Sequence, residues 1–222
     1  MSAFYVSPSG SDSNDGTSAS TPFQTLTQAQ KAMEASASIK TTYLMGGTYS
    51  LSSTLTLEDK DSGQSWLAYP GQIPILDGGN KVSPGIAITG NRGTSKVSVR
   101  GITLRNTAGD GIDIWNTSSD IVDSNTLYNI GANAIVLMGH DTSITISHNL
   151  IYAIAQHAIQ GGNDSVGNDP FASSLHNILI DSNYIHDVNT QPEFSDTGAI
   201  YFDDRAHAES GIVISNNEIQ NL

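Results

Sequence analysis

The chain has 222 residues, enough for one large domain and too few for two ordinary ones. Nine Lys and Arg against 22 Asp and Glu give a formal net charge of −13, which argues against a nucleic-acid or anionic-membrane surface. Cys is absent, so disulfides, thiolate metal sites and Cys nucleophiles are excluded together, and no apolar run approaches the length of a membrane span.

In chain order, residues 1–40 predict an N-terminal strand and a capping helix. Thr21 and Pro22 read as N-cap and first helical residue, and Phe23, Leu26, Ala29 and Met33 recur on one helical face. Such a helix covers the open end of a stacked fold. Residues 41–95 predict irregular first coils, with strands at 43–45, 54–57, 66–69 and 73–76 and turns at Gly46-Gly47 and Gly78-Gly79. The Asp-rich run SDSNDG (11–16) lacks the register of a calcium-binding loop and reads as a tight turn.

Residues 96–222 repeat. VSVRGITLRN (97–106), DIVDSNTLYN (120–129), ITISHNLIYA (144–153), ILIDSNYIHD (178–187) and IVISNNEIQN (212–221) share an apolar-x-x-Asn-x-apolar core. Ile102 stands where the others carry Asn125, Asn149, Asn183 and Asn217, and the steps between these positions are 23, 24, 34 and 34 residues. A second column runs through Ile86 or Ile88, then Ile112, Ile135, Ile159 and Ile200. Short strands at this period predict an all-β solenoid in which equivalent residues stack about 4.8 Å apart. The asparagines then either form a ladder of amides or occupy left-handed turn positions. The last coil stops after its asparagine turn, so further coils of a longer chain, or a partner, are expected to cover it.

The segment FYVSPSGSDSNDGTSASTPFQTLTQA (4–29), followed by YLMGGTYS (43–50), resembles the opening of secreted right-handed parallel β-helix proteins of the pectate-lyase-like group. HAIQGGND (157–164), NYIHDV (183–188) and DTGAIYFDD (196–204) resemble its carbohydrate-active branches, which include polysaccharide lyases, glycoside hydrolases and alginate C-5 epimerases. The resemblance implies a right-handed parallel β-helix, an extracellular location and a polysaccharide or oligosaccharide partner.

In this fold the groove follows the outward face of one strand column. Aligning the isoleucine column places Asp113, Val136, Gln160 and Tyr201 in one row, and Trp115, Met138, Gly162 and Asp203 in the next. Beyond them come Asn116, Gly139, Asn163 and Asp204, then Thr117, His140, Asp164 and Arg205, while Asp110, Asn133 and His157 precede the column. Insertions at 163–175 and 188–197 border this face. Trp115, Tyr201, Gln160, Asp113, His140 and Asn163 are the expected sugar contacts, because aromatic rings cover a sugar's apolar face while polar groups take its hydroxyls.

Asp196, Asp203, Asp204 and Asp164 are the candidate acids and nucleophiles, with His157 and Arg205 orienting substrate or stabilising charge. By resemblance to the hydrolases, Asp196 and Glu218, 22 residues apart, are a further spaced pair. Asp164, Asp203 and Asp204 suit Ca²⁺ as well as catalysis. A −13 chain whose repeat region holds one Arg beyond Arg105 repels a polyuronate unless Ca²⁺ screens it, which favours a neutral-sugar hydrolase or a non-catalytic binder over a lyase. The alternative reading is an adhesin-like module, or an inactive N-terminal part of a larger calcium-dependent secreted protein.

Overall fold

The structure, a computed structural model, describes residues 2–91, 95–162, 174–189, 198–203 and 209–222, with Asp203 described in its backbone only. Three parallel sheets wind into a right-handed parallel β-helix. The first sheet holds β1 (Phe4–Val6), β2 (Thr41–Leu44), β5 (Ser65–Ala68), β8 (Ser98–Arg100), β11 (Ile121–Asp123), β14 (Thr145–Ser147), β17 (Leu179–Asp181) and β20 (Val213–Ser215). The second holds β3 (Gly47–Ser50), β6 (Pro74–Asp77), β9 (Thr103–Thr107), β12 (Thr126–Ile130), β15 (Leu150–Ile154), β18 (Tyr184–Val188) and β21 (Glu218–Gln220). The third is the isoleucine column: β4 (Leu55–Leu57), β7 (Ile86–Thr89), β10 (Ile112–Trp115), β13 (Ile135–Met138), β16 (Ile159–Gly162) and β19 (Ile200–Asp203).

Each wall buries one residue type per coil. Val99, Val122, Ile146 and Ile180 stack inside the first sheet, and Leu104, Leu127, Ile151 and Ile185 inside the second. In the third, Ile86 rather than Ile88 pairs with Ile112, followed by Ile135, Ile159 and Ile200. Pairing identical shapes at about 4.8 Å fills the interior without voids, because each branched side chain nests on its copy below. In the second inward row, Ile114, Leu137, Gly161 and Phe202, the ring of Phe202 fills the space left by the glycine: a Cβ on Gly161 would fall within the Phe202 ring.

The asparagines form the amide ladder. Asn125 Nδ2 donates to Asn149 Oδ1 at 3.1 Å, Asn149 Nδ2 to Asn183 Oδ1 at 2.9 Å, and Asn183 Nδ2 to Asn217 Oδ1 at 2.9 Å. Each Oδ1 also takes the backbone N–H of the coil before, beginning with Ile102 N to Asn125 Oδ1 at 3.0 Å. The left-handed turn position belongs to the residue just before, with φ of 72° at Gly101, 57° at Ser124, 52° at His148, 55° at Ser182 and 54° at Asn216. That division of labour decides between the two readings of the repeat.

The N-terminal region differs in detail from the sequence expectation. The helix α1 (Leu26–Ala35) starts at Thr25, whose Oγ1 accepts from Gln28 N at 3.1 Å, so Thr21 and Pro22 lie outside it. The helix begins four residues later than Thr21 because Asp12 holds the N-cap Thr25 in place, accepting from Gln24 N at 2.8 Å, Thr25 N at 2.9 Å and Thr25 Oγ1 at 2.8 Å. Leu26, Ala29 and Met33 face the core as expected, while Phe23 enters it through a bridge to Val6. Gly46-Gly47 is a turn that runs directly into β3, a strand the sequence did not announce, since only Tyr49 of its four residues is buried. Among the described residues no helix is long and apolar enough to cross a membrane.

Candidate functional site

The register of the third sheet confirms the rows Asp113–Val136–Gln160–Tyr201 and Trp115–Met138, with Gly162 beside Asp203. Beyond Met138 the alignment moves by one residue. His140 N donates to Asn116 Oδ1 at 2.9 Å and Thr117 N donates to Asp141 Oδ1 at 2.9 Å, so His140 lies over Asn116 and Asp141 over Thr117. The cause is Gly139, an added residue in the left-handed region at φ 76°. Its missing side chain also seats Trp115, because a Cβ there would come within 3.0 Å of the indole Cδ1 and Nε1.

The face is not an open groove throughout. The outward residues Ala87 and Val136 are 8% and 1% exposed, and Asp113, which stands between them, is half-buried. Among the described residues, Asp113 Oδ1 is buried without a hydrogen-bond partner. Burial, and then the negative charge of Asp110 in the preceding turn, push the Asp113 carboxyl up to about 7. At that value the group is about half protonated near neutrality. Gln160, Trp115, His140 and Tyr201 are half-buried on the same face.

The turn leading into the sheet is a second ladder. Asn133 N and Nδ2 both donate to Asp110 Oδ1 at 2.9 Å. His157 N, at 3.1 Å, and its Nδ1, at 2.8 Å, meet Asn133 Oδ1. The imidazole is 6% exposed and stacks on Tyr201, with centroids 4.8 Å apart and an interplanar angle of 21°. His157 therefore supports the aromatic row from beneath.

Asn163, Asp164, Asp196, Asp204 and Arg205 lie outside the described residues, as does the side chain of Asp203. Glu218 sits on β21, in the second sheet, away from the third-sheet face. Among the described residues no three His, Asp or Glu side chains converge as a metal site.

Sequence reasoning missed a buried carboxyl pair in the turn that follows the third sheet. Val97 N donates to Asp120 Oδ1 at 2.7 Å, the Thr117 hydroxyl bonds both Asp120 and Asp141, and neither Oδ2 has a partner among the described residues. The available signal was Asp120 itself, which occupies the repeat position of Val97, Ile144, Ile178 and Ile212. A cavity of about 420 Å³ lies elsewhere, between Pro8, Thr25, Tyr49 and Leu51 beside α1. The Tyr49 hydroxyl there meets the Val6 and Met45 carbonyls, each at 2.8 Å.

Sheet order and register together define a three-sheet right-handed parallel β-helix. The chain belongs to the Pel9A-like right-handed β-helix family, whose model matches residues 4–218. A rhamnogalacturonan lyase superposes with a TM-score of 0.63 at 17% identity, covering 99% of this chain and 67% of that one. The GH136 lacto-N-biosidase of Eubacterium ramulus superposes at 0.57 and 13% identity, covering 99% of this chain and 56% of that one. Pectate lyase Pel9A gives 0.49 at 13% identity, over 97% of this chain and 78% of that one. This chain thus spans about two thirds and just over half of the first two neighbours, and the likeness shows the shared fold. No curated protein sequence matches it.

Proposed function

We propose that the protein binds a neutral polysaccharide or oligosaccharide outside the cell, along the outward face of the third sheet, and hydrolyses a glycosidic bond there. The observation that carries this reading is the half-buried Asp113 carboxyl, raised to about 7, in one row with Gln160 and Tyr201. The carbohydrate class is supported by the family and by neighbours named as a rhamnogalacturonan lyase and a lacto-N-biosidase. Neutral sugar is favoured over polyuronate because, among the described residues, no strand of the third sheet contains a Lys or Arg. Arg105, the nearest cation in the second sheet, is held by Asp77 at 2.8 Å.

In this scheme Asp113 O–H protonates the glycosidic oxygen as its bond to the anomeric carbon breaks. Water adds to that carbon and gives its proton to a second carboxylate, for which Asp164, Asp196, Asp203 and Asp204 remain the candidates. Elimination from a uronate, as a lyase or epimerase would begin, needs a base and a cation that this face does not supply from its described strands.

The test is turnover of the purified chain on neutral glycans and on polyuronates, read as new reducing ends and as ultraviolet absorbance of unsaturated products. Hydrolysis of a neutral glycan is expected, with Asp113→Asn lowering kcat by roughly 100- to 10,000-fold and activity falling as pH rises through about 7. Unsaturated products from a polyuronate, or full activity in Asp113→Asn, would overturn it. Glycan binding without turnover in the parent chain would replace hydrolysis with the binder reading.

A further inference from the structure

We infer that Asp110 and Asn133 are positioning residues that act through His157 to fix the ring of Tyr201 as the sugar-contacting platform of the third sheet. The inference rests on the carbohydrate reading above and adds to it the group that orients the sugar ring.

The hydrogen bonds leave one consistent arrangement of protons. Asn133 Oδ1 receives the backbone N–H of His157, so it is the carbonyl oxygen, and Nδ2 is the atom that faces Asp110. The His157 Nδ1 lies 2.8 Å from the same carbonyl and must be the protonated ring nitrogen. A chain then runs from the Asp110 carboxylate through the Asn133 amide to the imidazole, each link on the next coil. The amide and carboxylate fix both the tautomer and the plane of the ring.

That plane is what Tyr201 rests on. The centroid separation of 4.8 Å and the 21° tilt put the phenol nearly flat against a buried, anchored imidazole. Tyr201 is half-buried where His157 is covered, so the exposed member of the stack is the one that meets ligand. A pyranose with an apolar C–H face is the chemistry such a ring accepts. Asp113, the proton donor, lies in the same row three strands away, about 14 Å along the axis at one strand spacing per coil. The platform thus holds a sugar ring beyond the one being protonated.

Nitrogen-15 NMR of the ligand-free chain at neutral pH tests the lock without any substrate. His157 is expected as the Nδ1–H tautomer, and Asn133→Ala should give a mixture of both. An Nε2–H tautomer in the parent, or an unchanged tautomer in Asn133→Ala, would sink the inference. Should Asn133→Ala not fold, His157→Phe keeps a ring under Tyr201 but cuts the tie to Asn133. It should speed Tyr201 ring flipping and weaken the tightest-binding member of a neutral oligosaccharide panel by roughly tenfold, the scale of one aromatic pair. Unchanged flipping and affinity in that variant would also overturn it. A locked His157 in a chain that binds no neutral oligosaccharide would overturn the carbohydrate reading and leave the positioning chain standing.

Discussion

Asp120 and Asp141 show how a solenoid wall can store charge. Both residues are fully buried, each spends one oxygen on a backbone N–H of the coil before, and both contact the Thr117 hydroxyl. Burial raises the Asp120 carboxyl and raises Asp141 well above the ordinary carboxylate value, with the charge of Asp120 adding to the latter. For a carboxyl whose folded pKa lies above its unfolded value of about 4, the stability it contributes is whole below that value and is lost as pH rises through the folded one. Asp113, raised to about 7 chiefly by burial, has the same sign. Thermal melts should therefore show stability declining between about pH 4 and about pH 7. Asp141→Asn keeps the acceptor for Thr117 N and removes the charge. It should flatten that decline and stabilise the chain at neutral pH by about 1 kcal/mol, or roughly 2–4 °C in Tm. An unchanged pH profile would show that the pair is not buried as described.

At the scale of the element, the amide ladder ties the first sheet to the second at every regular coil. Asn149 is 1% exposed, accepts from Asn125 N and Nδ2, and donates to Val122 O and Asn183 Oδ1. Asn149→Ala orphans groups on both neighbouring coils and should cost about 3 kcal/mol in urea unfolding, while Asn217→Ala, at the last and half-buried rung, should cost about 1 kcal/mol or less. Equal costs would mean that the ladder bonds carry no stability. The outward face of the first sheet obeys a different constraint. Arg100, Asp123, Ser147, Asp181 and Ser215 stack in register, so acids alternate with serines and never occupy adjacent coils. Ser147 Oγ donates to Asp123 at 2.7 Å and Ser215 Oγ to Asp181 at 2.6 Å. Like charges about 4.8 Å apart would repel, and a hydroxyl between them turns repulsion into a hydrogen bond. The repeat segments already display this alternation as Asp-Ser-Asn and Ser-His-Asn, although its purpose is readable only once the coils are stacked.

For the molecule as a whole, each coil touches only its neighbours, so stability is close to a sum of coil and interface contributions. The inward residues of the last coil, Ile214 and Ile219, are 51% and 41% exposed, whereas Ile146 and Ile151 are 0% exposed. Amide exchange should be fastest in β20 and β21 and slowest in β11 to β15, and uniform protection along the axis would contradict the additive picture.

The repeat was open to reading because it is local: an apolar residue, a turn and an asparagine recur every two dozen residues, and strand spacing alone converts that period into stacked walls. The rows Asp113–Gln160–Tyr201 and the ladder at Asn125, Asn149 and Asn183 follow from the period in this way. The tertiary structure decided what period cannot encode. One extra residue at Gly139 moved His140 over Asn116. Burial between Ala87 and Val136, and then the charge of Asp110, raised the Asp113 carboxyl, and turn geometry linked Asp110, Asn133 and His157 beneath Tyr201. A repeat fixes which residues share a height on the spring, whereas burial, protonation and ring contact depend on which side chains surround each position at that height, and those differ from coil to coil.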